Sequence, residues 1–142
     1  MEELTVEAIM GSLGYGSFEE YQRILNNLWE TAPDEYEPLL LELESRQYKD
    51  AIIYLMHRFP SFSNYDKVAV FGKYLMDRLK TLYFQLPLEE FGRLAYSVWG
   101  ELPETINMEE PFYTLNYADD SLSWGDEFSC RESYKKMFGY YA

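Results

Sequence analysis

The chain reads as mainly α, a compact bundle of about six to seven short helices with a long irregular acidic segment near the C-terminus. Three observations point there. Apolar residues recur at spacings of three and four through most of the first hundred positions. Prolines and glycines fall between these runs rather than inside them. No strand-like alternation interrupts the pattern before residue 100. An irregular helical-repeat shape is the alternative architecture, although no fixed period of residue types emerges.

The most regular run is Asn64 to Phe84, with Val68, Phe71, Leu75, Leu79 and Leu82 on one face. Lys67, Lys73, Asp77, Arg78 and Lys80 supply the wet side, and Asn64 or Asp66 stands where an N-cap acceptor belongs. Before it, Leu4 to Leu13 predicts a short helix with Thr5 as cap and Glu7 in its first turn, ended by Gly11, Gly14 and Gly16. Ser17 and Glu20 form a capping-box pair, so a second helix starts there, with Phe18, Tyr21, Leu25 and Leu28 inward and Ile24 and Trp29 widening the stripe. Pro33 breaks it. A third short helix follows from Asp34, with Pro38 in its first turn, where no intrahelical N–H is lost. Arg46 to Phe59 predicts the next, with Tyr48, Ile52, Leu55, Met56 and Phe59 inward and Pro60 as the stop. The short Pro60–Ser63 connection predicts that this helix and the central one are antiparallel neighbours.

Past the central helix, Pro87 opens a run from Leu88 to Trp99 whose inward residues are Phe91, Leu94, Ala95 and Val98. Gly100 ends it. From Glu101 to Asp126 the periodicity stops, and the segment reads as a long ordered loop with one short extended piece at Phe112–Tyr117. Ser129 or Asp126 then caps a last helix through Tyr134, Met137, Phe138 and Tyr141.

The 142 residues are one domain's worth of chain, and 1–142 is expected to form a single helical domain that buries about 70% of its unfolded surface. With 47% hydrophobic and 18% aromatic residues it is too apolar for a disordered acidic tail. One cysteine, Cys130, excludes an internal disulfide framework and fits a reducing compartment. The start Met-Glu-Glu-Leu lacks the features of a signal peptide, and no apolar run approaches the ~20 residues of a membrane helix. A cytoplasmic protein without membrane contact is expected.

Charge is unevenly placed within a net of −13. Residues 1–45 carry eleven acids against Arg23 alone, residues 46–99 five acids and eight bases, and residues 100–142 nine acids and three bases. Solvated helix faces account for many of these acids. The same distribution also makes a negative field suited to a basic partner, and it disfavours direct nucleic-acid binding.

Motifs for chemistry are scarce. Gly14-Tyr-Gly16 has no preceding strand and no following Lys-Ser/Thr pair, so it is a turn and no cofactor is implied. His57 is the only histidine and stands at a helix end among Met56, Arg58 and Phe59, which fits a structural role; Cys130 beside Arg131 fits an inert thiol. Asp119, Asp120, Asp126 and Glu127 are the densest carboxylates, but a calcium loop from Asp119 meets Trp124 at its sixth position and Cys130 at its twelfth, and one from Asp120 fails at Leu122. No metal and no catalytic residue is assigned.

The same late stretch interleaves acids with rings, and interface centres favour Tyr and Trp. Glu109, Glu110, Tyr113, Tyr117, Asp119, Asp120, Trp124, Asp126 and Glu127 are therefore the candidate partner-binding residues. For Tyr113, Tyr117 and Phe128 the alternative is that they pin the last segment to the core; Trp124, flanked by Ser123, Gly125 and Asp126, fits that less well.

A small, acidic, cysteine-poor chain with a late Pro111-Phe112 and the segment Tyr117-Ala-Asp-Asp-Ser-Leu-Ser-Trp-Gly-Asp-Glu-Phe128 resembles the immunity proteins of bacterial toxin systems. The resemblance covers the last third of the chain and assigns no binding residue position by position. It implies a non-enzymatic protein that neutralises a basic protein partner such as a toxin or nuclease. Two alternatives stand beside it: a phage-type nucleic-acid mimic that antagonises a restriction or RNA-guided nuclease, and a small hydrolase using the late carboxylates or His57.

Overall fold

Ser17 shows how local chemistry sets the first helices. In the computed structural model, which describes residues 1–58 and 65–142, its side chain accepts from the Glu20 N–H at 3.2 Å and starts α2 (Phe18–Thr31), as the capping-box spacing predicts. The chain divides into two compact units, Met1–Ser61 and Phe62–Ala142. Among the described residues every regular element is helical, so the mainly α expectation holds.

The first unit holds α1 (Glu2–Ser12), α2, a 3₁₀ turn at Asp34–Tyr36, α3 (Glu37–Glu44) and α4 (Tyr48–His57). Here α1 packs on both α2 and α4, and α2 packs on α3. The single apolar stripe expected for α1 is replaced by burial all round: Leu4 through Met10 are buried without exception, Glu7 included. The helix begins at Glu2, so Thr5 is not its cap; its hydroxyl donates to the Met1 carbonyl at 2.9 Å. Tyr21, Ile24 and Leu25 from α2, Leu40 and Leu43 from α3, and Ala51, Ile52 and Leu55 from α4 close the core around it. Phe18, expected inward, is 57% exposed, and its ring meets Tyr48 edge-to-face at a centroid distance of 5.8 Å. As the first residue of the helix it lies at the rim of the core. Trp29 is also partly exposed and donates its indole N–H to Glu44 at 3.0 Å.

The expected inward Phe59, the Pro60 stop, the Pro60–Ser63 connection and the Asn64 cap lie outside the described residues.

The second unit holds α5 (Tyr65–Gln85), α6 (Leu88–Glu101), two single-turn helices α7 (Glu104–Asn107) and α8 (Thr114–Tyr117), a 3₁₀ turn at Ala118–Trp124, and α9 (Glu127–Phe138). Phe71, Leu75 and Leu79 of α5 are buried as their spacing predicts, with Phe91, Leu94, Ala95 and Val98 of α6. Around Phe91 sits an edge-to-face cluster, its centroid 5.2 Å from Tyr83 and 4.9 Å from Tyr134. Tyr141 lies across α5 at Gly72, where a Cβ would fall on the phenol ring.

The extended piece expected at Phe112–Tyr117 is instead helical from Thr114. Phe112 and Leu115, three apart, are both buried, which suits a helical turn and not a strand. Trp99 donates its indole N–H to the Asn107 carbonyl at 2.7 Å, and this holds the α7 turn against α6. Asp126, not Ser129, caps α9: its carboxylate accepts from the Ser129 N–H at 3.0 Å and hydroxyl at 2.6 Å.

Candidate functional site

All nine candidate residues belong to the second unit, and local chemistry sorts them into three groups. The first is Glu110, Tyr113 and Tyr117, brought together by the α8 turn. Thr114 donates to one Glu110 carboxylate oxygen at 2.5 Å and the Tyr117 hydroxyl donates to the other at 3.3 Å. The Tyr113 and Tyr117 rings lie 5.3 Å apart. Tyr117 is 38% exposed, so this group presents one phenol face beside a hydrogen-bonded carboxylate, with Glu109 exposed next to it.

The second group is structural. Asp126 is engaged at the α9 N-terminus, and its hydrogen bonds to Ser129 hold the carboxyl below the usual carboxylate range. Asp119 turns inward behind Gly92, where a Cβ would come within 2.9 Å of the Asp119 Cβ. A glycine inside the α6 pattern is the sequence signal for this approach. Burial pushes the Asp119 carboxyl above its ordinary value and Asp120 adds to the shift, although a backbone hydrogen bond lowers it. Cys130 and Tyr134, both buried, sense the Asp119 charge; burial drives the thiol up to about 11 and the phenol higher still.

Because the folded state favours the protonated acid, the stabilising contribution of Asp119 is present at low pH and lost as pH rises through its folded pKa. Asp119→Asn should therefore raise the melting temperature at neutral pH, with the gain shrinking toward acid pH. A variant less stable than the parent at neutral pH would contradict this placement.

The third group is the corner between the 3₁₀ turn and α9. Gly125 adopts φ 80°, a left-handed conformation, and reverses the chain between Trp124 and α9. The turn leaves Trp124 69% exposed and Phe128 74% exposed, on either side of Asp126-Glu127 in the chain. Exposed Asp120 precedes the indole. Glu127 accepts from Arg131 Nε at 2.8 Å, and Arg131 Nη1 donates to the Tyr83 hydroxyl at 3.0 Å. Next to Tyr83, Phe84 is also 74% exposed. The acid-and-ring pattern of the late segment does not point to Phe84, although its position two residues past Leu82 places it off the buried α5 stripe.

The late carboxylates are thus dispersed. Among the described residues no three His, Cys, Asp or Glu side chains gather as a metal-holding group. Lys73 and Lys80 of α5 are exposed and enter no ion pair among the described residues. Also among the described residues, no helix is long and apolar enough to cross a membrane. No family model, curated protein or solved structure matches the chain.

Proposed function

We propose that the chain is a non-enzymatic acidic binding protein that neutralises a basic protein partner, of immunity-protein or inhibitor type, in a bacterial or phage cytoplasm. The observation that carries this reading is the corner at Trp124 and Phe128, where two large exposed rings bracket Asp126-Glu127 in the chain and exposed Asp120 stands four residues before the indole. Keeping an indole and a phenyl ring exposed forgoes about 1.5–3 kcal/mol of burial for each ring. A partner that covers them recovers that energy, and flanking carboxylates raise the rate of encounter with a basic surface. Glu109, Glu110 and the Tyr117 phenol extend the same chemistry along α8. The lone buried thiol of Cys130 supports the reducing setting.

Nucleic-acid mimicry calls for a row of free carboxylates at phosphate spacing, and it loses support because Asp126 is a helix cap, Glu127 is paired with Arg131 and Asp119 turns inward. Hydrolysis by the late carboxylates loses support as well, since the perturbed groups Asp119, Cys130 and Tyr134 lie in or against the core.

The test uses the full chain as bait in a lysate of its host, beside a Trp124→Ala/Phe128→Ala double variant. The expected result is a basic protein retained by the parent chain at about 0.05 M salt, released near 0.5 M, and not retained by the double variant. A retained protein that is acidic, indifferent to salt, or held equally by the double variant would overturn the reading.

A further inference from the structure

The first unit carries twelve acids and only four bases, yet two of those bases, Arg46 and Arg58, meet on one ring. Their guanidinium carbons lie 4.3 and 4.6 Å from the centroid of Tyr54. Cation–π contact accounts for one such arginine. Two on one phenol set two cationic forks at one ring, within reach of a single anionic ligand. Arg46 is partly neutralised, because Glu42 takes its Nε at 3.1 Å and its Nη2 at 2.8 Å; among the described residues its Nη1 has no carboxylate partner. Arg58 has no carboxylate partner among the described residues, although the unit around it is crowded with acids.

These side chains share a cleft of about 520 Å³ with Asp50, Ile53 and His57. That lies within the range of roughly 300–1,000 Å³ that small-molecule sites occupy. His57 sets its Nδ1 2.9 Å from the Ile53 carbonyl, which can only accept, so Nδ1 carries a proton and Nε2 remains for a ligand. Ile53, exposed on α4, gives the cleft an apolar wall beside the Tyr54 ring.

We propose that this cleft binds a small organic phosphate monoester. The Arg58 fork is the main anchor, Arg46 Nη1 serves a further oxygen, His57 donates from Nε2 to another when the ring binds as the imidazolium, and the organic group lies against Tyr54 and Ile53. Three polar groups around one cleft suit a tetrahedral oxyanion better than a planar carboxylate with two oxygens. Asp50 supplies an acceptor for a hydroxyl on the organic part. The site lies in the first unit and does not depend on the partner-binding reading of the second.

The experiment is a titration of the isotope-labelled full chain with phenyl phosphate, inorganic phosphate and benzoate, at constant ionic strength set with sodium chloride and followed by NMR. Phenyl phosphate is expected to bind saturably, to shift signals of Ile53–Arg58 and Arg46, and to bind more tightly than either other probe. Arg58→Gln removes the charge-assisted fork and should weaken that binding about tenfold or more. Arg58→Lys, which keeps the charge and the exposed position, should also weaken it. Non-saturating shifts, benzoate or inorganic phosphate binding as tightly as the ester, or undiminished affinity in both Arg58 variants would each overturn the assignment.

Discussion

Phe91→Ala is expected to lower the unfolding free energy of the second unit by about 3–5 kcal/mol, the cost of emptying a large buried aromatic site. Phe91 is fully buried and its ring meets Tyr83, Tyr134 and Phe138 at centroid distances of 5.2, 4.9 and 6.2 Å. The partners come from α5 and α9, so the hole cannot be filled by one side chain shifting along α6. Tyr134 also has a buried hydroxyl with no hydrogen-bond partner among the described residues, and its ring packing has to offset that cost. Cys130 supplies an internal reporter, since its buried thiol and raised pKa keep it from reacting while the unit is folded. A thiol reagent should therefore label Cys130 about a hundredfold or more faster in the variant, tracking the opened population. A loss below about 1 kcal/mol, with unchanged labelling, would mean that the ring cluster is not the packing centre of this unit.

Gly16→Ala should cost the first unit about 1–3 kcal/mol through overpacking that cannot relax locally. A Cβ at Gly16 would come within 2.5 Å of the Gly11 Cα and of the Tyr48 hydroxyl oxygen. Gly11 presents backbone there, so α1 and the start of α2 must separate. That separation strains the bond from the Ser17 N–H to the buried Glu7 carboxylate, now 2.8 Å. Thermal unfolding of Gly16→Ala beside Gly100→Ala makes the comparison sharp. Gly100 lies in the last turn of α6, where an added Cβ would meet nothing within 4 Å, so its replacement should stabilise by about 0.4–1 kcal/mol. Equal effects of the two substitutions would contradict the close approach at Gly16.

These two positions also mark what could be read from sequence. Helices α2, α5 and α6 were legible because ten or more residues repeat one apolar spacing, and Ser17 announces its cap. Helices α7 and α8 last only four residues each, too short for a period, so residues 101–126 looked like loop. The burial of Glu7 was not legible either. Its position in a predicted first turn suits a solvated acid, and only the folding back of Ser17 onto it supplies the N–H that the carboxylate accepts. At the candidate surface, Trp124 is legible from its flanking Ser, Gly and Asp, whereas the sequence around Phe128 fits a core pin and a surface ring equally. The inward turn of Asp119 had its signal far upstream of the acidic segment, in the glycine at position 92 of α6.

The Arg46–Tyr54–Arg58 cleft escaped for a different reason. A residue count describes 1–45 as acidic and 46–99 as basic, whereas the fold places Arg46 and Arg58 with the acidic first segment in one unit. Charge read along a chain misses convergence on a single ring.

The proposed capture of a basic partner rests most heavily on the corner at Trp124, and binding kinetics test it most directly. With the captured basic protein as ligand, Asp120→Asn/Glu109→Gln is expected to slow association and flatten its salt dependence, while Trp124→Ala is expected to speed dissociation by about 30-fold or more, as loss of a hot-spot ring does. Association that ignores both salt and the two carboxylates, together with dissociation unchanged by Trp124→Ala, would contradict a docking role for this corner.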